Sequence, residues 1–212
     1  MAKRDPKSIQ RIRESIQASL ETQERFFAEH LDSLTEAFDE VVRVLRQGGK
    51  LLIIGNGGSA ADAQHLAAEF VNRYRKDRPP LPAIALTTDT STLTSIGNDS
   101  DFRYVFSRQI EALGSSEDLV LANTTSGNSE NVLEGLRQAK AMGIRTLALT
   151  GGSGGRAKEI ADFTICVSVS DQTPRIQETL LLVIHLMCEW IEWALFPSLN
   201  EPNAESAEES EI

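Results

Sequence analysis

The hydrophobic positions of the first 47 residues recur at steps of three and four, the spacing of one face of an α-helix. They are Ile9, Ile12, Ile16, Leu20, Phe27, Leu31, Leu34, Phe38, Val41 and Leu45. Gly48 and Gly49 then interrupt the pattern, as glycine commonly does just past a helix C-terminus. We predict helix over about residues 7–47, in two pieces. It could cap the domain or pack against other copies of the chain, and we favour the second because the following sheet has its own helices.

Beyond residue 49, short apolar runs alternate with segments of helical pattern. The predicted strands are 51–54, 83–86, 119–122, 146–149 and 163–169. One predicted helix follows the first strand, a second follows residues 87–89, and a third covers 101–114. A fourth ends near residue 142, a short fifth precedes the last strand, and the last runs from Pro174 to before Pro197. This alternation predicts an α/β domain, a parallel sheet with helices on both faces in a three-layer, flavodoxin-like or Rossmann-like arrangement. We expect residues 1–48 to form an N-terminal helical extension, 49–197 the sheet domain, and 198–212 a disordered acidic tail.

Charge and composition narrow the possible partners. The formal net charge is −10, with five Glu and no base in the last twelve residues, and an acidic chain without a basic stripe is a poor nucleic-acid binder. No apolar segment follows the charged N-terminus, and the most apolar run, 180–188, is far shorter than the ~20 residues that span a bilayer. We therefore expect a cytoplasmic protein without membrane or nucleic-acid partners. Cys166 and Cys188 lie apart in apolar runs and are expected to be buried, reduced thiols.

Three loops of small and hydroxyl residues follow predicted strands. They are Asn56-Gly57-Gly58-Ser59, Thr124-Thr125-Ser126-Gly127-Asn128-Ser129 and the glycine-rich stretch 151–155. Such loops at the carboxyl ends of parallel strands let backbone N–H groups and helix N-termini approach a phosphate. Each alone could equally be a tight turn with a helix cap. The first loop fits the loose dinucleotide pattern, but no acidic residue ends a second strand ~20 positions on, and no Gly-Lys-Ser/Thr of a P-loop follows the glycines.

Two of the three histidines stand in settings that suggest chemistry, whereas His30 is expected to be a surface or packing residue. His65 and Glu69 lie four residues apart in a predicted helix, which places both on one face. That pair can bind a metal or act as acid and base, although a lone histidine is more often satisfied by packing. His185 interrupts the apolar run 180–188 and needs a partner, either a simple hydrogen bond or a functional site.

Gln177 precedes His185 by eight residues in the predicted last helix. This separation is about 12 Å along a helix axis, so the two side chains reach one metal from one straight helix only if they converge steeply. We therefore expect different subunits to supply them.

Taken together, several stretches resemble the bacterial phosphoheptose isomerases, proteins of the sugar-isomerase (SIS) domain family. The stretches are LLIIGNGGSAADAQHLAAEFVNRYR, PAIALTTD, IGNDSDF, TTSGNSENVL, LALTGGSGG and RIQETLLLVIH, within about residues 8–196. The resemblance implies a single SIS domain that isomerises sedoheptulose 7-phosphate to D-glycero-D-manno-heptose 7-phosphate, an early step toward nucleotide-activated heptose for lipopolysaccharide core or other surface glycans. It also implies a homotetramer with active sites shared between subunits and one Zn²⁺ per active site.

Carried over by position, the resemblance assigns roles to particular residues. The metal ligands fall on His65, Glu69, Gln177 and His185. Glu69 and His185 also match the acid/base pair of the family. The sugar-phosphate contacts fall on Asn56, Gly57, Gly58, Ser59, Asn98, Asp99, Thr124, Thr125, Ser126, Ser129 and Gln177. Thr124 stands where the family usually has serine, and Pro174 where some members have an acidic residue, which puts a contact there in doubt.

A paralogous group with the same fold gives the alternative function. These proteins resemble a factor that binds the replication initiator DnaA, and they lack the glutamate and the second histidine. Because this chain has both Glu69 and His185, its sequence favours the enzyme.

Overall fold

The computed structural model describes residues 6–199. Its helices are α1 (Pro6–Arg46), α2 (Gly58–Val71), α3 (Thr90–Asp99), α4 (Ser107–Leu113), α5 (Glu130–Ala141), α6 (Ala157–Ile160) and α7 (Thr173–Leu195). Its strands are β1 (Leu51–Gly55), β2 (Ala83–Ala85), β3 (Leu119–Thr124), β4 (Arg145–Gly151) and β5 (Phe163–Val167). Short 3₁₀ turns cover Phe102–Tyr104 and Pro197–Leu199. The acidic tail was predicted over 198–212; residues 198 and 199 belong to the second 3₁₀ turn, and those from 200 onward lie outside the described part of the chain.

Within the described chain, the five strands form one sheet in the order β2-β1-β3-β4-β5, and every pairing is parallel. The predicted parallel α/β architecture is therefore confirmed. The chain passes from β1 outward to β2 on one side, and β3 then pairs on the other side of β1. The loops after β1 and β3 consequently diverge to opposite faces, which opens a crevice at the carboxyl ends of these two strands.

Alternate residues along the strands bury against different helix layers. Leu51 and Ile53 join a core with α1, α2 and α7, whereas Leu52 and Ile54 join a second core with α4 and α5. Residues of β1 and β3 are buried throughout. A strand buried on both faces explains why these runs are continuously apolar rather than alternating.

Helix α1 is one continuous helix of 41 residues, so the prediction of two pieces was wrong. No glycine or proline interrupts it, and polar residues near its middle fit the helix, since the Thr22 hydroxyl donates to the Ala18 carbonyl. Its C-terminal half caps the domain through Phe26, Phe38 and Val41, which are buried in the core with α7. Its N-terminal half leaves an apolar stripe exposed: Ile9, Ile12, Ile16 and Leu20. Packing of that stripe on other copies stays a prediction.

Smaller differences concern local chemistry. The single helix predicted over 101–114 is a 3₁₀ turn followed by α4, and the Asp101 carboxylate accepts the Arg103 N–H at the start of that turn. Cys166 and Cys188 are free thiols; Cys188 is buried as predicted, Cys166 is half-buried, and desolvation raises the pKa of both. In the described part of the chain, no helix combines the length and apolar character that crossing a bilayer requires.

Candidate active site at the carboxyl ends of β1 and β3

The loop after β1 is joined to the start of α5 through a pair of side-chain amides. Asn56 and Asn131 exchange two hydrogen bonds, each 2.8 Å long, across the crevice between β1 and β3. Gly57 adopts φ +55° and leads into α2, where Ser59 is buried. Asn56 was predicted to contact the sugar phosphate, and the structure shows its amide occupied in holding the two loops together.

The two other small-residue loops pack directly on each other. A Cβ placed on Gly127 would lie 2.0 Å from the Gly154 carbonyl oxygen, and Gly127 itself has φ +64°. The Ala157 N–H donates to the Gly127 carbonyl, and the Gly151 N–H donates to Thr125. Glycine is thus required here by both backbone conformation and space. These contacts fix the loop 124–129 against the loop 151–155.

The hydroxyls of the loop 124–129 differ in exposure. Thr124 is buried, Thr125 and Ser129 are half-buried, and Ser126 is exposed. Ser129 directly precedes α5, and its side chain makes no capping hydrogen bond with that helix. Hydroxyls and amides at a helix N-terminus suit an anion such as phosphate. The contacts predicted for these residues stay predictions, and the buried position of Thr124 accommodates its extra methyl group.

Replacing Gly127 with Ala should lower the melting temperature and weaken binding of a sugar phosphate. The added Cβ meets backbone atoms of Gly154 that cannot move without separating the two loops. Gly143→Ala is the matched control, since Gly143 has φ +71° with nothing within 4 Å of an added Cβ. The control should lose only the strain of a left-handed alanine, about 1–2 kcal/mol. Equal melting temperatures for both variants would contradict the proposed close packing.

Helix α2 carries His65 and Glu69 on a face turned toward α7. His65 Nε2 lies 3.6 Å from Glu69 Oε1 and 2.9 Å from His185 Nε2. The side chains of His65 and Glu69 are 42% and 21% exposed, so a ligand can reach them. The partner that the sequence required for His185 is therefore His65, and both imidazoles meet beside one carboxylate.

Gln177 reaches a different part of α2. Its Nε2 donates to Asp62 Oδ2 over 3.3 Å, and its amide packs against the backbone of Gly58 in the first loop. One chain therefore brings both Gln177 and His185 to α2, at different turns of that helix. The supply of the two side chains to one metal by different subunits stays a prediction. Helices α2 and α7 pack along each other, so residues two turns apart on α7 meet successive turns of α2.

Asp62 and Asn123 belong to this site and were missed from the sequence. Asp62 Oδ2 accepts a second hydrogen bond, 3.3 Å, from Asn123 Nδ2 at the end of β3. Burial raises the pKa of the Asp62 carboxyl, although both amide hydrogen bonds oppose the rise. Within residues 6–199, Asn123 Oδ1 is the one buried side-chain atom without a hydrogen-bond partner. The available sequence signal was the i, i+3 spacing of Asp62 and His65.

Asn98 and Asp99 lie at the end of α3, where their side chains are exposed and share a 2.8 Å hydrogen bond. Helix α3 packs chiefly on the turn Phe102–Tyr104 rather than on α2 or α7. The structure therefore leaves these two predicted sugar-phosphate contacts apart from the histidine cluster, and their role stays a prediction.

The donor chemistry at the histidine cluster fits zinc. Two imidazole nitrogens and a carboxylate oxygen are ligands that Zn²⁺ accepts, and two such nitrogens stand roughly 3.3 Å apart around a tetrahedral ion. The 2.9 Å between the His65 and His185 nitrogens is close to that separation. In the part of the chain that is described, no three His, Cys, Asp or Glu side chains are already arranged as a metal centre. Coordination would thus need modest side-chain rotation, and Gln177 would have to leave Asp62 or present its Oε1.

The sequence and the fold of this chain are similar to those of known proteins. A family model described as the SIS domain matches residues 15–151. The phosphoheptose isomerase of Campylobacter concisus is 52% identical over 186 residues, covering 86% of this chain and 98% of the relative. Among solved structures, the phosphoheptose isomerase of Neisseria gonorrhoeae matches with a TM-score of 0.82 and 39% identity, over 86% of this chain and 97% of that chain. The Francisella tularensis phosphoheptose isomerase gives 0.83 and 37%, over 87% and 97%.

Proposed function

The chain belongs to the phosphoheptose isomerase family of SIS-domain proteins, and we propose that it converts sedoheptulose 7-phosphate to D-glycero-D-manno-heptose 7-phosphate. It is a phosphosugar isomerase. The observation that carries the proposal is the meeting of His65 with both His185 and Glu69, on the helix that follows the first of three loops suited to an anion. An aldose–ketose isomerase needs this combination, because it must hold a phosphate and move a proton between adjacent carbons.

Glu69 and His185 have the chemistry for the two proton transfers. A carboxylate is a suitable base for a proton on carbon, and an imidazole can donate and accept near neutral pH. Glu69 removes the proton from the carbon next to the carbonyl, and His185 serves the neighbouring oxygen or carbon through an enediol. The phosphate, held by Ser59 and the loop 124–129, places the reacting end of the open-chain sugar against them.

His65, Glu69 and His185, with Gln177 after reorientation, would hold Zn²⁺. Lewis acidity toward the carbonyl oxygen is the chemistry that the ion would supply when bound. A carboxylate that binds zinc is a weaker base, so Glu69 has two competing roles. His65 would serve only as a ligand, whereas Glu69 would serve both as a ligand and as the base.

The setting of the reaction follows from the family. The product would feed nucleotide-activated heptose synthesis for lipopolysaccharide core or other surface glycans in the cytoplasm. Family membership supports a homotetramer, and the exposed apolar stripe of α1 at Ile9, Ile12, Ile16 and Leu20 is a surface that other copies could cover. Subunit sharing of the active site would then add to the contacts made within one chain.

The direct test is turnover of sedoheptulose 7-phosphate by the purified protein, with and without added zinc. We expect formation of the aldose heptose phosphate, lost on treatment with a chelator and restored by Zn²⁺. Full activity with much less than one zinc per site would remove the metal from the mechanism. Absence of turnover in the zinc-loaded protein, together with capture of DnaA, would overturn the enzyme in favour of the binding protein. No feature of the described structure favours that alternative, since both Glu69 and His185 are in place.

A further inference from the structure

The imidazole of His185 contacts two aromatic rings. The His65 ring approaches it edge-on, with ring centroids 5.2 Å apart and an interplanar angle of 71°. The Tyr74 ring lies nearly parallel to it, at 5.7 Å and 24°. Tyr74 is not part of α2 or α7; it belongs to the segment 72–78 that follows α2. The ring that covers His185 is thus delivered by a segment without regular secondary structure.

A buried ion pair holds this segment on α7. The Glu192 carboxylate accepts the backbone N–H groups of Tyr74, Arg75 and Lys76 over 3.1–3.2 Å. It also accepts Nε of Arg78 over 3.0 Å, and the two side chains are only 3% and 1% exposed. We call Arg78 and Glu192 the buried clamp. Glu192 lies seven residues, or about two turns, beyond His185 on the same face of α7. The clamp therefore fixes the backbone of Tyr74 to the helix that carries His185.

The clamp also fixes the end of α2. Arg78 Nη2 donates to the Glu69 carbonyl over 2.7 Å, and Nη1 donates to the Phe70 carbonyl over 2.9 Å. These bonds satisfy carbonyls of the last turn of α2, which have no partner within the helix, and the Phe70 carbonyl also accepts the Leu81 N–H. One guanidinium therefore ties together the backbone of Glu69, the segment that carries Tyr74, and the helix that carries His185.

Such an arrangement matters for an imidazole that transfers protons. The terminal torsion of histidine is broad, so an unsupported ring samples many orientations. Misplacement of a catalytic group by about 1 Å can lower the rate by 10²-fold. A flat ring held parallel to the imidazole restricts that torsion without forming a hydrogen bond to either nitrogen. Both nitrogens of His185 remain available for its contact with His65 and for a ligand.

We propose that Tyr74 is a positioning residue for His185, and that the buried clamp sets the place of its ring. The expected change in kcat rests on the proposed isomerase function, whereas the expected orientation of the His185 ring does not. The aromatic face of Tyr74 carries the effect, so the phenol hydroxyl is dispensable. Phenylalanine should then replace Tyr74, and an aliphatic side chain should not.

The kinetic test compares Tyr74→Phe and Tyr74→Leu in the zinc-loaded protein. We expect Tyr74→Leu to lower kcat about 10- to 100-fold, with KM for the sugar phosphate changed less than about twofold, because the phosphate loops are untouched. Tyr74→Phe should keep kcat within about twofold of wild type. Tyr104→Leu is the matched control, since Tyr104 is the other tyrosine of the chain and lies on the turn Phe102–Tyr104. This control should behave as wild type.

A second measurement is independent of turnover. The chemical shift of the His185 Cε1 proton, assigned by its loss in His185→Asn, reports the ring current of a stacked neighbour. It should move in Tyr74→Leu and in Tyr74→Met, and stay near the wild-type value in Tyr74→Phe and Tyr104→Leu. Tyr74→Met serves if the leucine variant does not fold.

Several outcomes would overturn the inference. One is an unchanged kcat and chemical shift in both aliphatic variants; another is an equal loss of kcat in Tyr74→Phe, which would assign the effect to the hydroxyl. A fall in kcat that is matched by a rise in KM would indicate a general loss of structure instead. If wild-type protein shows no turnover of sedoheptulose 7-phosphate, the proposed function fails, whereas the chemical shifts still decide whether Tyr74 positions His185.

Discussion

Replacing Glu69 with Gln is expected to lower kcat for sedoheptulose 7-phosphate by about 10²–10⁴-fold, the range for loss of a general base. The amide keeps the size of the side chain and can still donate or accept one hydrogen bond, but it cannot take up a proton. Glu69 is partly exposed on the last turns of α2, so the substitution should leave folding unaffected. Steady-state kinetics of the zinc-loaded variant checks the expected loss of kcat, and its melting temperature checks that folding is unaffected.

His185→Asn should produce a loss of similar size, because it removes the second proton-transfer group. Glu189→Gln is a matched control: Glu189 lies one turn beyond His185 on α7, is 54% exposed and forms an exposed ion pair with Arg75. That control should keep kcat near wild type. Both active-site variants should still bind the sugar phosphate and the oligomer should stay intact. A Glu69→Gln enzyme with more than about a tenth of wild-type kcat would exclude Glu69 as the base.

The sheet was predictable because its signals are local. The runs around Leu51, Leu119 and Thr146 are short, apolar and separated by helical patterns, and only a parallel sheet buried on both faces accounts for them. The structure confirms all five strands within one or two residues at most ends. The helix boundaries were similarly marked, by Gly143 after α5 and by Pro174 in the first turn of α7.

The continuity of α1 was not predictable in the same way. The polar stretch 21–25 separates Leu20 from Phe26, but it marks a change in what the helix contacts rather than a break. Phe26, Phe38 and Val41 pack on the domain, whereas the apolar positions up to Leu20 are exposed. One apolar stripe can meet the domain along only part of a helix without any break in the backbone hydrogen bonds.

The candidate site was predictable only where its residues share an element. His65 and Glu69 could be paired from their spacing, whereas the contacts of Asp62 with Asn123 and of Asn56 with Asn131 join residues more than sixty positions apart. Sequence pattern has no signal for which buried amide meets which carboxylate across packed elements. The contacts of Gln177 and His185 show the same limit. The structure sets α2 alongside α7 so that each side chain meets its own turn of α2, and the length of one helix does not indicate this.

Breaking the buried clamp is the second change for which we expect a large effect, here on stability. Arg78→Met leaves the Glu192 carboxylate buried without its counter-charge and removes the guanidinium donor to the Glu69 carbonyl, whereas the Phe70 carbonyl keeps the Leu81 N–H. Removing one partner of a buried ion pair costs about 3–5 kcal/mol. For a chain of this length, that corresponds to a fall of roughly 6–20 °C in melting temperature. Thermal unfolding at matched protein concentration measures it, since association of subunits also contributes to the melting temperature.

The comparison that isolates the buried charge uses an exposed ion pair and a double variant. Arg137→Met removes a partner of Glu134 on α5, where the side chains are 44% and 31% exposed, and should cost under about 1 kcal/mol. The double variant Arg78→Met with Glu192→Leu should lose less stability than the two single variants lose in sum. Each single variant leaves one buried charge without its partner, whereas the double variant leaves none. The three backbone N–H groups that Glu192 accepts would still lose their acceptor, so the double variant should remain below wild type. If the stability losses of the two single variants add up to that of the double variant, the two residues stabilise the fold separately. Tyr74 would then be held over His185 by its own packing.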